Sequence, residues 1–157
     1  KACRESQRLE CEYASFRTPE GETRLIAPHT LIHTGMRWHV RAYCEKNGEY
    51  RDFVLSRFRG TPELMNDVTE HTRLLDPGWT TPATVILEAD PRLKAGQRAI
   101  IEADYGMEDG QLGIETRGAL VQYVLHRYQI DTTKMHMKPM AQQIVVANMD
   151  ELGPWLY

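Results

Sequence analysis

Apolar and polar residues alternate through the first third of the chain at the period of a β-strand. Leu9-Glu10-Cys11-Glu12-Tyr13-Ala14-Ser15-Phe16 largely keeps this alternation, which gives a strand with one wet face. Thr18-Pro19-Glu20-Gly21 reads as a turn, and Arg24 to Pro28 as renewed extended chain, with Ala27 pushed toward β by the proline after it. His33 to Met36 punctuates. Arg37 to Cys44 is the clearest strand, with Trp38, Val40 and Ala42 on one face and Arg37, His39, Arg41 and Tyr43 on the other. Asn47-Gly48 signals a two-residue hairpin turn, and Glu49 to Phe58 reads as the returning strand. Short strands with turns this close predict a small closed or nearly closed antiparallel barrel.

The pattern changes after residue 58. Gly60, Pro62, Pro77 and Gly78 mark a linker, in which Thr61-Pro62-Glu63 has the form of a short helix start. Thr84 to Glu88 reads as a strand. Leu93 to Ala103 is ambiguous: Leu93, Ala99, Ile100 and Ala103 keep helical spacing, but Gly96 falls on the same face. Asp109-Gly110 is a turn, Gln111 to Arg117 a strand and Gln143 to Ala147 a closing strand. Ala119 to Tyr128 is an amphipathic helix, with Leu120, Val124 and Tyr128 beside Val121 and Leu125. Strands alternating with helices predict a small α/β sandwich. The expected division is a barrel over 1–60, a linker over 61–81 and an α/β module over 82–157.

The 157 residues are 41% hydrophobic and 26% charged, a globular composition with a net charge of -3. That charge excludes a generic polyanion binder, so any nucleic-acid contact must come from a local patch. Cys3, Cys11 and Cys44 have no CxxC spacing, and reduced thiols in a cytoplasmic protein are expected. The apolar runs are strand-sized, so no membrane span is predicted. The chain starts at Lys1 rather than Met, which suggests a fragment of something longer.

Arg37, His39 and Arg41 share one strand face, and Arg51 and Arg57 lie across the hairpin from them. Tyr43 and Phe53 add stacking surface, and Ser56 adds a hydroxyl. Guanidinium forks suit phosphates and aromatic rings suit bases, so this set fits a nucleotide or short single strand. The alternative is a solvated face neutralised by Glu45, Glu49 and Asp52, and residue types alone do not separate the two. His29 and His33 stand four apart, but Pro28 and Gly35 argue against the helix that would make them a metal pair, so no metal site is expected. No GxSxG elbow, phosphate loop or desolvated carboxylate pair is present, so neither catalysis nor a cofactor is expected. Met135, Met137 and Met140, interleaved with Lys134 and Lys138, read as a loop with adaptable contact potential.

Three spaced stretches resemble one family. Ile26-Ala27-Pro28-His29, then Gly35 and Trp38-His39-Val40-Arg41-Ala42-Tyr43-Cys44, then Arg51-Asp52-Phe53-Val54-Leu55-Ser56-Arg57-Phe58 are similar to the core of the WYL domain. Residues 83–147 resemble the extension that follows it, and the wording looks most like repressors found beside bacterial anti-phage defence systems. One departure stands out: the naming triplet is Trp38-His39-Val40, with histidine where tyrosine is usual. The resemblance implies a Sm-like (SH3-like) barrel whose basic face binds a nucleic-acid-derived or nucleotide effector, and a C-terminal module that dimerises. It also implies a homodimer that reaches operator DNA only through an N-terminal winged helix-turn-helix, which this sequence lacks. Arg51 and Arg57 fall on the family's arginine motif and His39 on the aromatic of the triplet. Phe53 matches as well. Arg41, Tyr43 and Ser56 join by their place along the hairpin, and Arg117 is a candidate contact from the second module. Trp38 and Pro28 are read as structural. A stand-alone single-strand-binding or RNA-binding barrel is the alternative.

Overall fold

A computed structural model describes residues 1–134 and 136–156. The chain divides into two compact units, Lys1–Pro77 and Gly78–Tyr157. Both are antiparallel sheets with a few helices, so the fold is mixed α and β.

The first unit opens with one helical turn, α1 (Ala2–Glu5), followed by β1 (Gln7–Tyr13), β2 (Glu22–His33), β3 (Trp38–Cys44), β4 (Glu49–Val54) and β5 (Phe58–Val68). The strands form one sheet in the order β4-β3-β2-β1-β5. In a flat sheet β1 and β4 would lie three strand spacings apart, roughly 14 Å. Instead the Tyr13 and Phe53 rings meet edge to face at 5.0 Å, and the Val54 N–H donates to the Tyr13 hydroxyl at 3.0 Å. The sheet is therefore strongly curled. Its two edge strands, β4 and β5, are consecutive in sequence and joined only by a 3-10 turn, Leu55–Arg57. No ladder between them is formed among the described residues. The concave face buries Cys11, Tyr13, Ile26, Val40, Ala42, Cys44 and Phe53. Cys11 and Cys44 are thus core residues, and burial, with Cys44 close by, pushes the Cys11 thiol up to about 11.

Several expectations change. The segment read as a linker from residue 61 is the middle of β5, and Thr61-Pro62-Glu63 forms strand rather than helix. Proline is tolerated because β5 is an edge strand and its pairing to β1 shifts register around Gly60–Pro62, with Gly60 at φ 63. Strand β2 is longer than expected. Pro28 sits where β2 pairs with β3 but no longer with β1, so its missing N–H removes no ladder bond to β1. The β3–β4 hairpin is present, but Cys44 pairs with Glu49 across a four-residue loop in which only Gly48 takes positive φ. The Asn47 side chain accepts from Arg24 at 2.8 Å, which anchors that loop. A true two-residue turn with both residues at positive φ occurs at Asp109-Gly110.

The second unit contains β6 (Pro82–Ala89), β7 (Gln111–Arg117) and β8 (Ile144–Val146) in the order β7-β6-β8, after a one-turn helix α2 (Pro77–Thr80) at the boundary. Helices α3 (Ala95–Asp104) and α4 (Val121–Arg127) contribute Ile101, Val121 and Leu125 to a core with Val85, Leu87 and Ile144. Of the residues expected to line α4, Val121 and Leu125 are fully buried, while Leu120, Val124 and Tyr128 beside them are half-buried. The face expected for α3 is only partly the buried one: Leu93, just before it, is buried as expected, but Ile100 is 60% exposed and Ile101 is buried instead. A short helix α5 (Met149–Leu152) buries Leu152, and Trp155 packs against this core. Met135 of the methionine cluster lies outside the described residues, while Met137 and Met140 are exposed. No described helix is long and apolar enough to cross a membrane.

A Cβ added at Gly118 would lie 2.6 Å from the rigid Trp155 ring. Gly118→Ala is therefore expected to cost about 1–3 kcal/mol through overpacking. Chemical denaturation should show that loss, and a Gly118→Ala/Trp155→Leu double variant should recover part of it.

Candidate functional site

Register decides which side chains can act together, because directly opposed residues share a face. Arg41 faces Asp52 across the β3–β4 ladder, Ala42 faces Arg51, Val40 faces Phe53 and His39 faces Val54. The residues singled out from the sequence therefore split. His39, Arg41 and Tyr43 lie on the convex face. Arg51 and Phe53 lie on the side of the core residues Val40 and Ala42. Ser56 and Arg57 belong to neither, because the 3-10 turn replaces the period-two pattern there.

The convex face is covered, not solvated. The segment after β5 returns across it. The Tyr50 hydroxyl donates to the Thr72 carbonyl at 2.9 Å, and the His71 ring stacks on Tyr43 at 3.5 Å and 9°. The Arg41 Nε and Nη2 donate to the fully buried Asp76 at 2.5 and 3.0 Å, and Nη1 donates to Asp52 at 3.0 Å. His29 completes the cluster, with Nε2 3.1 Å from Asp76 and Nδ1 2.8 Å from Thr30 Oγ1. Burial alone would push the Asp76 carboxyl up. Hydrogen bonds from His29 and Arg41, with the Arg41 charge, outweigh it and hold the carboxyl at about 2. Burial likewise works against the Arg41 charge, and Asp76 and Asp52 overcome it, so that guanidinium is held more basic than usual.

Two expected ligand contacts are thus absorbed by the fold. Arg41 is spent between two carboxylates. Phe53 is 4% exposed and packed against Tyr13, so it offers no ring face to a base. Tyr43 is half-buried with one face on His71. Arg51 is exposed and paired to Glu49, an arrangement of little energetic weight. In the second unit, Arg117 donates to the Trp79 carbonyl at 2.7 Å and sits over the Trp79 ring at 5.2 Å.

What remains is the corner where β4 passes into β5. Ser56 is exposed there. The Arg57 guanidinium makes no ion pair among the described residues and stands 5.0 Å from the ring of Phe16, which is 91% exposed. His39, 4% exposed, lies within electrostatic reach. Burial lowers its pKa, Asp52 opposes this, and the charges of Arg37 and Arg57 lower it further. The imidazole is therefore biased toward its neutral form, which keeps the uncharged polar ring that a tyrosine would supply. The sequence reading missed Asp76, His29, His71 and Phe16. A fully buried arginine needs counter-charges, but nothing in the local pattern names a partner 35 residues away.

Two family descriptions match this sequence: "WYL domain" over residues 1–61, and "BrxR transcriptional regulator, C-terminal dimerization domain" over residues 82–152. The first stretch is thus similar to the WYL domain and the second to the dimerization domain of a transcriptional regulator. The WYL match stops at residue 61, so Asp76, which neutralises Arg41, comes from beyond the matched span. Curated relatives include the DNA-binding transcriptional repressor CapW of Escherichia coli (strain KTE188), 41% identical over 97% of this chain and 50% of its own length. The protein of the same name from Pseudomonas aeruginosa is 37% identical over the same shares. The chain thus spans about half the length of the relatives it matches. A solved structure, proteasome accessory factor B/C (PafBC) of Arthrobacter aurescens, aligns with a TM-score of 0.41 at 21% identity, covering 98% of this chain and 24% of that one.

Removing one member of the Arg41 ion cluster leaves a buried charge short of a partner. Asp76→Asn is expected to cost about 3–5 kcal/mol by chemical denaturation. The Asp76 carboxyl is depressed from 3.8 to about 2 in the folded state. Its stabilisation, about 2 kcal/mol, is fully present above pH ~4 and is lost as pH falls toward 2. A denaturation series across that window should show the loss in the native protein and a shallower slope in Asp76→Asn.

Proposed function

We propose that this chain is the sensing and dimerisation part of a repressor like the CapW proteins it matches. In this reading β1 to β5 complete a Sm-like (SH3-like) barrel at the corner where β4 and β5 meet. A nucleic-acid fragment or nucleotide effector is held at that corner. Arg57 carries the phosphate contact, Ser56 donates a hydroxyl, and His39 supplies a neutral ring nitrogen beneath them. Arg51 is a peripheral second contact that exchanges Glu49 for phosphate. Arg41, Tyr43 and Phe53 support the site by fixing β3 and β4. The second unit pairs two copies into a homodimer. A DNA-reading domain outside this sequence contacts the operator, and the region described here performs no catalysis.

The observation that carries this reading is the Arg57 guanidinium, with no ion pair among the described residues, beside the exposed Phe16 ring. A guanidinium held half-buried without a carboxylate is suited to an incoming anion, and the open ring next to it to a base. The repressor assignment is supported by the relatives' names and by the dimerization description over residues 82–152.

Fluorescence anisotropy with short labelled single-stranded DNA and RNA at two salt concentrations tests the site. Binding should be saturable and weaken with salt. Arg57→Ala should cost about 1–3 kcal/mol of affinity with little change in melting temperature, and Arg41→Ala should be lost mainly through unfolding. Unchanged affinity in a folded Arg57→Ala protein would remove the corner from consideration. A bound anion favours protonated His39, so affinity should rise as pH drops through the histidine range, and His39→Gln should flatten that profile.

A further inference from the structure

A second concavity of about 310 Å³ opens in the first unit, between α1, β2 and the segment that returns over the convex face. Its polar lining includes Arg4, Ser6, His71, Thr72 and Arg73, and no carboxylate residue lines it. Arg73 is exposed and makes no ion pair among the described residues. Among the described residues the Arg4 guanidinium pairs with Glu5 alone, at 3.5 Å with its side chain 82% exposed, and Glu5 is shared with Lys1 at 3.8 Å. Exposed contacts of that kind hold a guanidinium weakly and leave it available to a better anion.

The buried groups around the pocket add no uncompensated negative charge to it. The nearest buried acid, Asp76, is spent on Arg41 and His29. His29 forms part of the wall with both ring nitrogens already engaged, by Thr30 and Asp76. Cys3 also lines the pocket, and burial pushes its thiol up, so it adds no negative charge near neutrality. Two guanidiniums with serine and threonine hydroxyls form a donor set suited to a doubly charged tetrahedral oxyanion. The volume lies at the low end of the range for small-molecule sites, roughly 300–1,000 Å³, which admits a mononucleotide-sized ligand and excludes an oligonucleotide.

We propose that this pocket is a second anion site, which binds the phosphate group of a small phosphorylated molecule through Arg4 and Arg73. It uses none of the residues of the Arg57 corner and does not rest on the function proposed for that corner.

Isothermal titration of the 157-residue chain with inorganic phosphate, 5′-AMP and adenosine tests the proposal. Phosphate and 5′-AMP should bind, and adenosine should not. Arg73→Gln should weaken both by roughly 10–100-fold, Arg4→Gln should do the same in lesser degree, and Arg98→Gln, an exposed change in the second unit, should leave both unchanged. Arg4 and Arg73 are exposed, so unchanged melting temperatures separate lost binding from lost folding. Tighter binding of 5′-AMP than of phosphate assigns a phosphate ester, and equal binding assigns free phosphate. No heat from either anion at millimolar concentration, or binding that Arg73→Gln leaves unchanged, would overturn it.

Discussion

The first unit depends on how Arg41 is neutralised. A guanidinium buried to 6% exposure is costly unless carboxylates meet it with good geometry. Asp52 satisfies part of that need across the ladder, where register places it directly opposite. The rest comes from Asp76, which reaches Arg41 only if the chain after β5 returns over the convex face. That return seals the face of β3 and β4, brings His71 onto Tyr43 and Thr72 onto Tyr50, and fixes His29 behind Asp76. One ion pair thus converts a stripe of basic residues that looked solvated into the ionic interior of the unit.

Sealing that face also restricts where an anion can be met. The curl of the sheet, held by Tyr13 against Phe53 and Val54, brings its two edges to one corner. The 3-10 turn at that corner breaks the alternation that would have sent Ser56 and Arg57 to opposite sides. Arg57 emerges there with an aromatic neighbour and no counter-ion among the described residues, while Arg41, three residues from Trp38, is fully engaged. Two arginines of similar sequence context therefore have opposite roles, and the difference lies in burial, not in residue type.

The strands of the first unit, the helix at Val121–Arg127 and the turn at Asp109-Gly110 were legible because each is set by local periodicity or turn chemistry. Strand β5 was hidden because Gly60 and Pro62 carry the signature of a linker, and only the bulged pairing to β1 makes them acceptable in a strand. Helix α3 was located, but its buried face was not, since which side meets β6 is decided by tertiary packing around Ile101 and not by the weak local pattern. At the site, Arg57 and His39 came through the family resemblance; Arg57 is half-buried at the corner, and His39, within reach of its charge, is buried. Phe53, a family match, and Arg41, added from its place along the hairpin, are both buried, because alternation names a face without saying what covers it.

The corner has one further property that bears on sensing. A ligand can shift a regulator only by binding two of its states with different affinity. Most of the first unit is tied by continuous ladders from β4 to β5 through β3, β2 and β1. The Leu55–Arg57 turn lies outside them. Its ties to the sheet are the Ala14 N–H donating to the Arg57 carbonyl at 3.0 Å and, just before the turn, the Val54 N–H on the Tyr13 hydroxyl. Pulling on Arg57 therefore strains two hydrogen bonds and not a ladder. Both lead to the end of β1 at Tyr13 and Ala14, so under the function proposed above an anion on Arg57 would act through these two hydrogen bonds.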